Sequence, residues 1–110
     1  VIKDGYFGDT SRMYFVGEPT PEAKKLVETT YEAMLAGIHT VRPGATLGDI
    51  GHAIQSVAQR EGYSIVREYC GHGIGRVYHE QPNIFSGERE KVNGWLLFVG
   101  ILSAASLVTH

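Results

Sequence analysis

The sequence predicts an α/β (α+β) domain in which short strands pack with two amphipathic helices. Three observations predict this class. Two segments carry apolar residues at helical spacing, an aromatic-rich stretch lies near the start, and a glycine-rich stretch begins at Gly71. Helical spacing gathers apolar side chains on one face, whereas aromatic and β-branched residues suit a pleated surface. We expect one domain or part of one, because 110 residues can bury only a modest core.

The first strand is predicted from Tyr6 to Val16, where aromatic residues recur between Gly5 and Gly17. The preceding residues, 1–5, are typical of a strand that enters a turn. These residues do not form a secretory signal and the first residue is not methionine, so we expect the chain to begin inside a domain.

The first helix is predicted to begin at Thr20-Pro21, because threonine caps a helix and proline suits its first position. It should end near His39, ahead of the turn signal Arg42-Pro43-Gly44. Its apolar face is predicted to contain Leu26, Val27, Thr30, Met34 and Ile38.

The second helix is predicted from Thr46 to Glu61. Asp49 lies three residues after Thr46, which approximates a capping box, and Gly62 follows the last turn, where glycine is favoured. Its apolar face is predicted to contain Leu47, Ile50, Ala53, Ile54, Val57 and Ala58.

A short strand from Ser64 to Tyr69 is predicted to lead into Gly71-His72-Gly73-Ile74-Gly75. If this segment is extended, the glycines leave one face bare, and His72, Ile74 and Arg76 share the other. His79 is seven positions after His72, so an unbroken strand would place the two imidazoles on opposite faces. They can meet at one site only if the chain bends between them. The alternative is a buried, hydrogen-bonded histidine in a tight turn.

Asp9 is the second candidate, because aspartate is disfavoured inside a strand such as the one predicted around it. It is either a turn or cap carboxylate or a metal ligand. Carboxylate oxygen and imidazole nitrogen together suit a hard or borderline metal. Three other side chains are given no chemical role: His39 and His52 are expected at the helix surfaces, and Cys70 is expected to be packed.

Composition limits the kinds of partner and the compartment that we expect. The net charge is −2 and no basic run occurs, so binding to nucleic acid is unsupported. The single cysteine cannot form a disulfide within the chain, which fits a reducing compartment.

Residues 95–108 carry no charge, but these 14 residues fall short of the ~20 that cross a bilayer. A buried element or an apolar tail is favoured there, and a membrane segment is the alternative.

Four motifs occur in a specific order and spacing: Gly8-Asp9-Thr10-Ser11-Arg12-Met13, Val41-Arg42-Pro43-Gly44, Val66-Arg67-Glu68-Tyr69-Cys70-Gly71-His72-Gly73-Ile74-Gly75-Arg76, and His79-Glu80-Gln81-Pro82. Together they closely resemble type I methionine aminopeptidases of the bacterial and organellar kind. The resemblance runs from Val1 to about Ile84. It implies a partial pita-bread fold, a curved antiparallel sheet flanked by helices, and removal of the initiator methionine from new polypeptides.

The resemblance also implies residue roles. The family uses two divalent metal ions (Co, Mn, Fe or Zn), held by two aspartates, one histidine and two glutamates. Asp9 corresponds to the second aspartate and His72 to the histidine ligand. His79 corresponds to a histidine that contacts substrate and steadies the tetrahedral intermediate. Tyr78 occupies an aromatic position lining the methionine pocket; Tyr69 and Cys70 lie beside that pocket, without a chemical step.

The other ligands of the family are expected outside the matching segment: one aspartate before Val1 and two glutamates after Ile84. We therefore expect residues 1–84 to be part of a catalytic domain, with residues 85–110 a divergent tail that is apolar from about Trp95. Metal binding would then be partial or lost. The expected substrates are nascent polypeptide N-termini beginning with methionine. The protein itself is expected to be a cytoplasmic monomer that binds neither nucleic acid nor membrane. The alternatives are a non-catalytic relic or binding module of the same fold and, less favoured, a relative that cleaves at proline.

Overall fold

The computed structural model describes residues 1–65, 71–84 and 107–108. Within these ranges the chain forms two helices and three antiparallel strand pairs, β1–β2, β3–β6 and β4–β5. The elements are β1 (Ile2–Lys3), β2 (Tyr6–Phe7), α1 (Pro21–Thr40), α2 (Leu47–Arg60), β3 (Ser64–Ile65), β4 (Gly71–Gly73), β5 (Glu80–Ile84) and β6 (Leu107–Val108). The end of the predicted Ser64–Tyr69 strand, Cys70 and nearly all of the predicted tail lie outside the described residues.

The start of α1 confirms its predicted cap. Thr20 Oγ1 accepts a hydrogen bond from the Ala23 backbone N–H at 3.2 Å, and Pro21 is the first helical residue. This bond satisfies one of the N–H groups that have no partner inside the helix. The helix ends at Thr40, one residue beyond the predicted end near His39.

The start of α2 confirms the predicted capping box. Thr46 Oγ1 accepts from the Asp49 N–H at 3.1 Å, and Asp49 Oδ2 accepts from the Thr46 N–H at 2.8 Å. The carboxylate also lies at the positive end of the helix dipole. The helix ends at Arg60, and Glu61 is its C-cap. No helix in the described ranges is long and apolar enough to cross a membrane.

The core lies between the two helices, and the most buried line of α1 is offset from the predicted face, of which Leu26, Val27, Thr30 and Met34 are half-buried. The buried residues of α1 are Thr29, Ala33 and Gly37, four positions apart. Ile38, from the predicted face, is 47% exposed. The small side chains let α2 approach closely, so the larger residues of α1 flank the contact instead of filling it. The α2 residues in this core are Leu47, Ile50, Ile54 and Val57.

Replacing Gly37 with valine should lower the free energy of unfolding by about 1–3 kcal/mol, the usual cost of overfilling a core. A Cβ atom at Gly37 would lie 2.9 Å from Ile54 Cγ1 and 3.0 Å from Ile54 Cδ1. Urea unfolding followed by circular dichroism measures the change. Ile54→Val removes Cδ1, so the double variant should recover part of the loss. Strictly additive losses would show that the two side chains do not collide.

The N-terminal hairpin is tighter and shorter than the predicted strand. Asp4 and Gly5 have φ values of 53° and 80°, as a two-residue type I′ turn requires. Reciprocal bonds between Val1 and Gly8, of 3.0 Å and 2.7 Å, continue the pairing.

The strand predicted from Tyr6 to Val16 is wrong beyond Phe7. A strand needs a neighbour for its backbone hydrogen bonds, and no described segment pairs with residues 9–16. Aromatic composition alone therefore did not extend the strand. The large side chains of this segment are exposed: Met13 67%, Tyr14 75%, Phe15 43% and Val16 102%.

Candidate active site

The hairpin is attached to the loop that follows β4. The Phe7 backbone N–H donates to the Gly75 carbonyl at 2.8 Å. Arg76 Nη2 donates to the Tyr6 hydroxyl at 3.2 Å, and its guanidinium carbon lies 4.8 Å from the Tyr6 ring centroid, a cation–π contact. Sequence reasoning missed these contacts, because residues about 70 positions apart give no local signal. They bring Asp9, two positions beyond Phe7, to the glycine-histidine segment.

The chain bends between His72 and His79, which is the condition for the two imidazoles to meet. β4 ends at Gly73, and its register with β5 shifts there, pairing His72 with Asn83 but Gly73 with Glu80. The His72 and His79 ring centroids are 4.2 Å apart, with an interplanar angle of 53°. The bend therefore brings both histidines to one place.

Because of the bend, the predicted shared face of His72, Ile74 and Arg76 is wrong. Ile74 is only 5% exposed, whereas Arg76 is exposed and His72 is half-buried. The extended conformation stops before Ile74, so the alternation of a strand does not apply to it.

Two glycines of this segment lie close to atoms of residues 80–81, one of them to backbone and the other to a side chain. A Cβ atom at Gly75 would lie 2.5 Å from Glu80 Oε1. A Cβ atom at Gly73 would collide with the backbone of β5, 2.8 Å from both the Gln81 carbonyl carbon and the Glu80 oxygen. A side chain at Gly73 would push β5 away from β4, whereas the Glu80 side chain can rotate away from a Cβ atom at Gly75. Gly73 thus sets the spacing between β4, which carries His72, and β5, which begins directly after His79.

Tyr78 connects the carboxylate to the histidines. Its hydroxyl donates to Asp9 Oδ2 at 2.7 Å. Its ring lies edge-on to His79, with centroids 4.6 Å apart, and 5.9 Å from the His72 ring. Asp9 and His72 are half-buried, and Tyr78 and His79 are exposed. Asp9, His72 and His79 therefore all lie around Tyr78, the fourth predicted site residue.

The bond to Asp9 raises the pKa of the Tyr78 hydroxyl above its ordinary 10.0, and partial desolvation and the Asp9 charge add to this. Because the folded value is the higher one, the bond stabilises the fold below about pH 10 and is lost as the pH rises through the folded value. Ultraviolet titration of the unaltered chain and of Tyr78→Phe identifies the signal of Tyr78 by difference. Tyr78 should ionise above pH 10, and Asp9→Asn should lower the pKa of Tyr78. Ionisation of Tyr78 at its ordinary value would contradict the contact.

His72 is oriented by its own backbone neighbourhood. Its Nδ1 lies 2.9 Å from the Gly73 carbonyl oxygen. A carbonyl can only accept, so this hydrogen bond assigns the proton to Nδ1 and leaves the lone pair on Nε2 in the neutral ring. A metal-binding histidine is commonly held in this way by a backbone carbonyl.

The donors present fit a divalent cation in type. A half-buried carboxylate and a neutral imidazole suit a borderline metal ion. Within residues 1–65 and 71–84, however, no group of three or more His, Cys, Asp or Glu could hold a metal ion. Asp9 and His72 alone are fewer donors than such a group contains.

Comparison with known proteins identifies relatives over most of the chain. The profile of Metallopeptidase family M24 matches residues 1–96. A methionine aminopeptidase of Rickettsia prowazekii (strain Madrid E) is 59% identical over 86 residues, 78% of this chain and 33% of that protein. A methionine aminopeptidase of Escherichia coli (strain K12) is 47% identical over 93 residues, 84% of this chain and 35% of that protein.

A solved structure agrees. The crystal structure of methionine aminopeptidase from Rickettsia prowazekii superposes with a TM-score of 0.77 at 54% identity, covering 82% of this chain and 37% of that one. The resemblance and the predicted pita-bread fold class are confirmed. The chain spans about a third of the length of the curated relatives it matches. The domain boundary predicted at Ile84 stays a prediction.

Proposed function

This chain belongs to Metallopeptidase family M24, and we propose that it takes part in metal-dependent removal of N-terminal methionine from new polypeptides. The observation that carries the proposal is the 59% identity, over 86 residues, to a protein named methionine aminopeptidase. The proposed substrates are nascent chains that begin with methionine, and the proposed setting is a monomer in the cytoplasm. The chain spans 33% of that relative's length, so the activity is a proposal.

Asp9 and His72 are the residues proposed to hold metal, through a carboxylate oxygen and Nε2. The bond from Nδ1 to the Gly73 carbonyl supports this assignment, because it leaves Nε2 free of the proton. When bound, two divalent metal ions would act as Lewis acids that activate water and the scissile carbonyl. Co, Mn, Fe and Zn all accept these donors.

His79 and Tyr78 are proposed to act on the substrate directly. His79 is exposed beside His72, with 4.2 Å between ring centroids, and its imidazole N–H can donate to the oxygen that becomes negative in the transition state. The exposed ring of Tyr78 offers an apolar face to the methionine side chain, whose thioether packs well against aromatic rings.

Two measurements on the chain test the proposal: calorimetric titration with Mn²⁺ or Co²⁺, and cleavage of a Met-Ala peptide in the presence of the metal. Metal binding that depends on Asp9 and His72, with release of methionine, supports the peptidase. A chain that binds no metal and cleaves nothing supports the alternative, a non-catalytic relic or binding module of the same fold.

His79→Ala should separate turnover from metal binding. In a form of the domain with the full ligand set, turnover should fall by about 10²–10³-fold, the usual cost of losing one oxyanion donor. Metal affinity should stay unchanged, because His79 is proposed to act on substrate. His39→Ala, at an exposed position near the end of α1, is the control. Unaltered turnover would remove His79 from the mechanism.

A further inference from the structure

The hydroxyl of Tyr78 is not explained by a role in an apolar pocket. A phenylalanine would present the same ring to a methionine side chain. The oxygen instead makes a 2.7 Å hydrogen bond to Asp9 Oδ2. Asp9 lies 69 positions away in sequence, so the bond joins the hairpin to the loop that precedes β5.

The ring that carries this hydroxyl is held on two sides. Phe7 contacts it edge-to-face, with centroids 5.7 Å apart at 76°, and His79 does the same at 4.6 Å and 83°. The backbone bond from Phe7 to Gly75 fixes the hairpin against the same loop. Because a tyrosine side chain has only two rotatable angles, these contacts determine where its hydroxyl lies.

A carboxylate held by one oxygen is still able to bind a cation. It offers about four lone-pair positions, and one hydrogen bond to Oδ2 leaves Oδ1 available. The same bond restricts rotation of the carboxylate, so less freedom is lost when a cation binds. Partners that orient a metal ligand in this way are typically worth 10–100-fold in metal affinity.

We infer that Tyr78 is a positioning residue, whose hydroxyl orients the Asp9 carboxylate for binding a divalent cation. This role rests on the proposed function, and it adds to the proposed contact between the Tyr78 ring and methionine. Tyr78 then links two tasks: its ring faces the substrate side chain, while its oxygen prepares the metal ligand.

Calorimetric titration of the chain with Mn²⁺ tests the inference in Tyr78→Phe, Tyr31→Phe and Asp9→Asn. Tyr78→Phe should weaken Mn²⁺ affinity about 10-fold, at the lower end of the range for such partners. Tyr31→Phe removes the hydroxyl of a tyrosine that is 51% exposed on α1, and it should leave the affinity unchanged. The rise in melting temperature that Mn²⁺ produces should be smaller in Tyr78→Phe than in the unaltered chain, a metal-dependent difference that a general loss of packing would not produce.

The outcomes are distinct. Equal or tighter Mn²⁺ binding by Tyr78→Phe, with Asp9→Asn impaired, overturns the positioning role and leaves the proposed function standing. Affinity unaffected by Asp9→Asn, or no Mn²⁺ binding by the unaltered chain, overturns both. Because Tyr78 is 38% exposed, we expect phenylalanine to be tolerated there, and thermal unfolding of both Tyr→Phe variants checks this.

Discussion

Replacing His72 with alanine should abolish the divalent-metal affinity of the chain. The change removes the imidazole and leaves the Asp9 carboxylate as the remaining proposed ligand. Partners that only orient a ligand are worth about 10–100-fold in affinity, so loss of a ligand itself should exceed about 100-fold. Calorimetric titration with Mn²⁺ or Co²⁺ measures the loss.

The matched control for His72→Ala is His52→Ala. His52 is exposed on α2, where its imidazole contacts the Ser56 hydroxyl. Removing the His52 imidazole should therefore leave metal affinity unchanged. Equal binding by His72→Ala and the unaltered chain would exclude His72 as a ligand. Equal losses in the two variants would point to nonspecific binding by surface histidines.

Replacing Gly73 with alanine should cost about 3 kcal/mol of unfolding free energy, at the upper end of the range for overpacking. The added Cβ would collide with backbone atoms of Glu80 and Gln81, which cannot rotate away as a flexible side chain can. To relieve the collision, β5 would have to separate from β4. Since His72 and His79 flank this pairing, we expect metal affinity to fall together with stability.

Gly8→Ala provides the control for this prediction. A Cβ atom at Gly8 would meet nothing within 4 Å, and the backbone there is not left-handed. Its free energy of unfolding should therefore change by no more than about 0.5 kcal/mol. Urea unfolding of both variants gives the comparison, and similar stabilities for the two would refute the requirement for glycine at position 73.

The helices could be predicted because their signals are local. Thr20 with Pro21, and Thr46 with Asp49, lie within one helical turn of the groups that they satisfy. The face that α1 buries could not be predicted, because it depends on how closely α2 approaches. Gly37 was absent from the predicted apolar face, yet it lies against Ile54. Small residues score poorly as hydrophobic, but they permit the closest contact between helices.

In the candidate site, too, the features with a signal in the sequence could be predicted, and the contacts between distant segments could not. The residue pattern predicted Asp9, His72 and His79 as candidates. The family resemblance added Tyr78 and assigned the roles, which stay predictions. The sequence indicated that His72 and His79 could meet only if the chain bends between them, and the structure shows that bend. The hydrogen bond between Tyr78 and Asp9 and the contact between Arg76 and Tyr6 could not be predicted. They join segments whose separation in sequence carries no periodic pattern.

The bond from Phe7 to Gly75 has a consequence for folding, because it closes a loop that contains both helices. Closing a loop of this length costs chain entropy before any contact compensates for it, so we expect the helical pair to form first and the site to assemble late. A cation held by Asp9 and His72 would bridge the ends of the same loop. Its binding would then raise the melting temperature of helices that it never touches, in proportion to the logarithm of its concentration once that exceeds the dissociation constant.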